Sequence, residues 1–336
     1  MSKENTIHTR DYRNQVSWQI SEICNFHCDY CGVWKGDQHA LKPIDMVKLS
    51  ESLDYLKGDW HFNISGGEPF LEKNFVDICK EITKKHHMSL ITNLSTKNVF
   101  DFADAINPDK CLNINASIHI IEREKSDLKL ISFIEKMLYL QNKGFNITAV
   151  YVAHPVLFDR IKTDIAYLKS SGIKNVNILI FRGWHNGKEY PSAFNAAQKD
   201  FLYSMTPSYY ESEILEKSPN HHGKLCLTGQ RSFVMDRNGN LKRCLSCHKS
   251  YGNLFEKSVK IDVKIKPCPK INCVCPFEGI VYGLTTKENF IPALKEDIIE
   301  LSLMFNKKGG AYYFWQLIGT LERAGIPFSK IKKIFK

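Results

Sequence analysis

The chain has 336 residues, 43% of them hydrophobic and 12% aromatic, enough for one large α/β domain with a smaller appendage; global disorder is excluded. The formal net charge of +10 permits an anionic partner, but no dense Lys/Arg block with interleaved aromatics marks a nucleic-acid surface, and a solvated basic face is the favoured account of the charge. The opening MSKENTIHTRDYRNQ lacks an apolar h-region, and no stretch approaches the roughly 18 apolar residues of a membrane span, so a cytoplasmic protein is expected, in which 11 cysteines point to metal ligands before disulfides.

Residues 1–15 form a polar extension. A β-rich alternation over 16–23 opens the ordered chain. Helix 43–57 follows, with Met46, Leu49, Leu53 and Leu56 on one face and Pro43 near its start. Strand 61–65 precedes helix 74–85, strand 88–92 precedes helix 96–106, and strand 111–118 precedes helix 126–143, which ends at the capping residue Gly144. Strand 146–153, helix 158–170 and strand 176–181 complete the series. Repeated βα units imply parallel strands with helices packed outside. A partial barrel and an open doubly wound sheet both fit that rhythm. It breaks after Gly183: residues 184–225 read as a linker of loop and short helix with Pro191, Pro207 and Pro219. Residues 226–280 hold six of the eleven cysteines, with a hairpin over 231–240 turning at Asn238-Gly239. Residues 281–336 read as a helical segment with a basic end.

Cys24, Cys28 and Cys31 sit on one loop directly after the first strand. Three thiolates can hold three irons of a 4Fe–4S cluster and leave the fourth iron open to a small chelating molecule. A zinc loop is the alternative, with His27 or His39 as the fourth ligand. The spacing C-x3-C-x2-C, with Tyr30 before the last cysteine, resembles the signature of the radical S-adenosylmethionine superfamily. The resemblance runs over residues 16–183, and it implies a partial (β/α)6 barrel. Gly66, Gly67, Glu68 and Pro69 match the family's GGEP turn, which binds the methionine amino group. Two glycines permit close backbone approach, and a carboxylate suits an ammonium group. Thr92-Asn93 matches the start of the family's T-N-G, with Leu94 in the glycine's place. Ser117 and His119 lie where the family binds the ribose and the carboxylate, and Phe181 and Arg182 where it holds adenine. The resemblance also implies an activity: reductive cleavage of S-adenosylmethionine to a 5′-deoxyadenosyl radical, which abstracts hydrogen from a substrate, with an electron donor such as flavodoxin or ferredoxin.

The second cysteine group, Cys226, Cys244, Cys247, Cys268, Cys273 and Cys275, resembles the SPASM/twitch extension that carries auxiliary 4Fe–4S clusters. Its opening C-x(9–15)-G-x4-C is present as Cys226, Gly239 and Cys244; the later spacing departs from a full SPASM domain. Six cysteines are two short of the eight that two clusters need, so one auxiliary cluster is expected. Cys226 and Cys244 are its firmest ligands, with two more from Cys268, Cys273 and Cys275, and Cys247 is a spare. A structural zinc is the alternative. Cys79 and Cys111 read as ordinary buried thiols.

Substrate oxidation through the auxiliary cluster is the leading expectation. Two substrates fit: a sugar-like small molecule, or a peptide side chain that a maturase cross-links or oxidises. The short stretch before the first strand leaves no fused peptide-recognition domain, which tilts the expectation toward a small molecule. A non-catalytic iron–sulfur or zinc module is the alternative of another class. His154, Arg182 and Asp236 are polar candidates for acid–base work with no motif behind them.

Overall fold

The computed structural model describes residues 14–31, 42–205, 215, 221–270 and 281–282. Cys273, Cys275 and the helices expected beyond residue 285 lie outside the described residues.

The βα rhythm is realised. Strands β1 (Asn14–Ser21), β2 (Trp60–Gly66), β3 (His87–Thr92), β4 (Cys111–Ser117), β5 (Ile147–Ala153) and β6 (Val176–Ile180) pair in that order, all parallel. Helices α1 (Met46–Tyr55), α2 (Phe75–Thr83), α3 (Val99–Ala105), α4 (Ile120–Arg123), α5 (Asp127–Asn142) and α6 (Ile161–Ser170) fall between them. In β1 the period of two buries Val16, Trp18 and Ile20. In α2 Phe75, Ile78, Cys79 and Ile82 share one face and are buried. Asp45 caps α1, its side chain accepting from the backbone N–H groups of Val47 and Lys48 at 3.0 and 3.2 Å. Gly144, at φ +91°, ends α5 as expected. Cys79 and Cys111 are buried in the core, and burial raises both thiol pKa values.

Two features go beyond the sequence reading. Residues 184–225 contain a hairpin, β7 (Gly183–His185) with β8 (Lys188–Tyr190), before helix α7 (Ala196–Met205). The cysteine-rich segment also extends the barrel sheet. Strands β9 (Leu225–Cys226), β10 (Ser232–Met235), β11 (Asn240–Cys244) and β12 (Cys247–Asn253) follow, and β10 lies parallel to β1 with Trp18 opposite Met235. Among the described residues the sheet therefore has nine strands, β12-β11-β10-β1-β2-β3-β4-β5-β6. The expected turn at Asn238-Gly239 joins β10 to β11, with Gly239 at φ +83°. Asp236 serves that turn: Oδ1 accepts from the N–H groups of Asn238 and Asn240, and Oδ2 from the Asn240 amide. It is a turn residue, which corrects its place among the acid–base candidates. Short strands β13 (Lys266–Pro267) and β14 (Val281–Tyr282) pair with β9 in a separate sheet. Among the described residues no helix is long and apolar enough to cross a membrane.

Candidate active site

Because β1 to β6 are parallel, their carboxyl ends share one edge, the edge where α/β sheets carry ligands. The cysteine loop follows β1, the Gly66–Pro69 turn follows β2, Asn93 follows β3, His119 follows β4, His154 follows β5 and Phe181 follows β6. One edge thus collects the candidate site residues of the barrel.

Within the cysteine loop, Cys24 is half-buried, Cys28 buried and Cys31 exposed. Burial pushes the Cys28 thiol up to about 11 and raises Cys24. Donors already face the sulfur of Cys24: the Phe26 N–H at 3.4 Å and the Asn93 amide at 3.8 Å. The same Asn93 amide donates to Asn25 Oδ1 at 3.2 Å. The end of β3 is thereby fastened to the loop. Leu94, where the family has glycine, adopts φ +52° with its side chain fully buried, so the glycine-like conformation is kept without the glycine.

The paired glycines act on the protein itself. Gly67 N–H donates to Ser21 O at 2.6 Å and Glu68 N–H to Ile23 O at 2.7 Å. A Cβ at Gly66 would press on the Ser21 carbonyl and one at Gly67 on the Ile23 carbonyl, each closer than 3.0 Å. The glycines let the turn lie against the backbone that leads into Cys24. Glu68 is 0% exposed. Its Oε1 accepts from Thr92 Oγ1 at 2.6 Å and Phe70 N–H at 3.1 Å, and Oε2 from Asn93 N–H at 2.6 Å. Burial pushes its pKa up to about 7 against those donors. The carboxylate clamps β2 to β3. Pro69 is buried at the start of the short helical turn that Glu68 caps.

After β4, His119 takes φ +48°. Tyr30 OH lies 2.9 Å from its Nδ1, and Cys28 Sγ 3.3 Å from the same atom. Burial pulls the His119 pKa down to about 4, and Arg123 adds to the shift. His119 is therefore a neutral ring at the cysteine loop. Ser117 is half-buried at the end of β4. Tyr30 packs against His119, His154 and Phe181 at ring separations of 6.1, 5.6 and 6.0 Å, an aromatic wall across the mouth of the barrel. Arg182 is half-buried beside Phe181.

Sequence reasoning named His154 but missed its neighbours Asp29 and His185. Asp29, His154 and His185 bring their ligand atoms within 4.8 Å of one another. His154, 1% exposed, accepts from the Val156 N–H at Nδ1. Its Nε2 therefore carries the hydrogen and points a donor at Asp29, 3.6 Å away. That tautomer suits a hydrogen-bonding ligand better than a metal ion. Arg123 was also missed. It is 2% exposed and donates to the carbonyls of Ile118, Lys129 and Asn93, with its guanidinium 4.2 Å from the Phe133 ring centre. No motif marks it, because its place depends on the left-handed turn at His119.

In the second group, Cys226, Cys247 and Cys268 are joined by Cys244. Cys244 and Cys247 face each other across the β11–β12 turn, and a hydrogen bond from Cys247 lowers Cys244 to about 7. Burial pushes Cys268 up to about 12, and the charges of Cys226 and Cys244 add to the rise. Arg243, 1% exposed, lies among them, and its charge favours thiolates at Cys226, Cys244 and Cys268. Cys247, expected as a spare, sits within this group.

Residues 18–187, just over half of the chain, match the Radical SAM superfamily. In sequence the chain is 26% identical over 229 residues to a GTP 3′,8-cyclase of Staphylococcus carnosus, covering 61% of this chain and 64% of that protein. It is 26% identical over 226 residues to an S-adenosylmethionine-dependent nucleotide dehydratase of Fibrobacter, with the same coverage. The match thus spans just under two thirds of these relatives. In fold it is similar to native anSMEcpe with bound AdoMet and Kp18Cys peptide (TM-score 0.51, 17% identity, covering 74% of this chain and 81% of that one). It is also similar to Streptococcus suis SuiB (TM-score 0.53, 14% identity, 75% and 66%). With the cysteine loop, the GGEP turn and Asn93 on one edge of a parallel sheet and the family match running through all of them, the chain belongs to the radical SAM superfamily.

Proposed function

We propose that this enzyme cleaves S-adenosylmethionine at the Cys24–Cys28–Cys31 loop and abstracts hydrogen from a phosphorylated small molecule of the nucleotide class. Membership of the family implies a 4Fe–4S cluster and S-adenosylmethionine, and the relatives in sequence are enzymes. A non-catalytic module is thereby set aside.

The observation that carries the reading is the joining of the cysteine loop to the GGEP turn and to Asn93 by backbone and amide hydrogen bonds. The donor set suits the cluster. Three thiols lie on one loop, and N–H groups aimed at Cys24 favour its thiolate. When bound, the cluster supplies the electron that cleaves S-adenosylmethionine to methionine and the 5′-deoxyadenosyl radical. The protein's own residues do the rest. Gly66 and Gly67 set the height of the loop, Glu68 and Asn93 hold its flank, and the Tyr30–His119–Phe181 wall excludes water from the barrel mouth. His154 offers a fixed N–H donor at that mouth.

The nucleotide class is supported by the names of the two sequence relatives, one for GTP and one for nucleotides. We assign an auxiliary cluster to Cys226, Cys244, Cys247 and Cys268. The charge of Arg243, which favours thiolates at Cys226, Cys244 and Cys268, supports a cluster held by thiolates there. Such a cluster would accept the electron left when the substrate radical loses a proton.

The test is anaerobic turnover with deuterated nucleoside triphosphates. Deuterium appearing in 5′-deoxyadenosine supports the reading. Transfer from a peptide and from no nucleotide replaces it with a maturase.

A further inference from the structure

Between the cysteine loop, the turn after β3 and helix α5 lies a cavity of about 210 Å³. Its charge is one-sided: Arg123, Lys129 and Lys136 line it, and among the described residues no Asp or Glu does. Arg123 is 2% exposed and Lys136 3%. A buried cation is costly unless an anion meets it. Here the partners are neutral. Arg123 donates to the carbonyls of Asn93, Ser117, Ile118 and Lys129. Lys136 Nζ donates to Ser132 Oγ at 2.6 Å, which leaves two of its three hydrogens for another acceptor. Burial and the nearby Arg123 pull the Lys136 pKa down, against the charge of Glu135, which acts on it through space without lining the cavity. Glu68 acts on Arg123 through space, but it does not line the cavity, and Phe70, Thr92 and Asn93 engage its oxygens.

The remaining lining adds neutral donors, the Asn25 amide and the Ser95 and Ser132 hydroxyls. Phe26 ties the cavity to the cluster loop: the Arg123 guanidinium lies 5.2 Å and Lys129 Nζ 6.0 Å from its ring centre. Two lysine point charges, one guanidinium and hydroxyl donors are the groups that bind a tetrahedral oxyanion.

We propose that this cavity is an oxyanion site that takes a phosphate group of the substrate. The proposal rests on the phosphorylated-substrate reading above. A carboxylate has the same charge chemistry, and S-adenosylmethionine carries one, so the experiment separates the two sources.

Cluster-loaded enzyme is titrated anaerobically with inorganic pyrophosphate, alone and saturated with S-adenosylmethionine, at low and high salt. Pyrophosphate should bind under both conditions and weaken with salt. Lys129→Ala, on an exposed position, and Lys136→Met, which keeps the apolar stem, should each weaken it about ten- to a hundredfold. Affinity for S-adenosylmethionine should not change in either. Absence of pyrophosphate binding overturns the proposal, as does unchanged binding in both variants. Binding that vanishes on saturation with S-adenosylmethionine also overturns it, because the cavity then holds the methionine carboxylate. Pyrophosphate binding as expected without hydrogen transfer from any nucleoside triphosphate supports the oxyanion site and removes only the nucleotide class.

Discussion

The carboxylate of Glu68 accepts the backbone N–H of Asn93 at 2.6 Å, and Asn93 in turn reaches the sulfur of Cys24. The turn after β2, the end of β3 and the cysteine loop are therefore one hydrogen-bonded unit. Glu68→Gln would set an amide against one of three donors. It should cost about 1–3 kcal/mol in urea unfolding and weaken S-adenosylmethionine binding indirectly. The pH dependence has a definite sign. The folded-state pKa lies at about 7, above the ordinary 4.5, so the Glu68 contribution is full below about 4.5 and is lost as pH rises through about 7. The stability difference between wild type and Glu68→Gln should shrink from about pH 5 to about pH 8. A difference that grows over that range contradicts the burial argument.

Gly66→Ala and Gly67→Ala should each displace the cysteine loop, because the new Cβ meets the carbonyls of Ser21 and Ile23. Both should lose the iron of the first site, about four per chain. Gly58→Ala is the control: Gly58 has φ +80° but open space around it, so it carries backbone strain without a clash. Iron content after anaerobic reconstitution decides. Equal iron in all three variants would mean that close approach of the turn is unimportant.

Leu94 sets two effects against each other. Its left-handed backbone costs roughly 1–2 kcal/mol, which glycine would relieve. Its side chain is fully buried, and removing a buried Leu costs roughly 2–5 kcal/mol even when an Ala methyl remains. Packing should win, and Leu94→Gly should be less stable by about 1–3 kcal/mol. A more stable variant would show that strain dominates.

Arg237, in the β10–β11 turn, pairs with Glu72 at 2.6 Å, where the glutamate side chain is 1% exposed. This pair fastens the cysteine-rich segment to the turn after β2. Arg237→Ala strands a buried carboxylate and should cost about 3–5 kcal/mol, and Arg237→Ala with Glu72→Ala should recover part of that loss. Additive losses in the double variant would mean that the pair is not coupled.

The barrel half was legible in the sequence because strands such as β1, β2 and β5 show period two and helices such as α2 a 3.6-residue face. Gly144 and Asn238-Gly239 announced their turns through glycine's access to positive φ. What was not legible is non-local. Nothing within residues 232–235 says that they will lie parallel to β1, and nothing near Arg123 marks a buried cation. The resemblance to the GGEP turn assigns Gly66, Gly67 and Glu68 to a ligand. What the motif does not announce is that all three also hold protein to protein, through Ser21, Ile23, Thr92 and Asn93, which lie elsewhere in the chain. Linear spacing makes Cys247 a spare, because it does not reveal the register that sets it opposite Cys244.

The most direct test of the radical assignment is 5′-deoxyadenosine formation by reduced, reconstituted protein, wild type against Cys24→Ala/Cys28→Ala/Cys31→Ala, with iron counted in the same samples. Wild type should form 5′-deoxyadenosine and hold about eight irons per chain; the triple variant should form none and keep about four, on the second cysteine group. Cleavage of S-adenosylmethionine by the triple variant would contradict the assignment of the Cys24–Cys28–Cys31 loop as the radical-generating site.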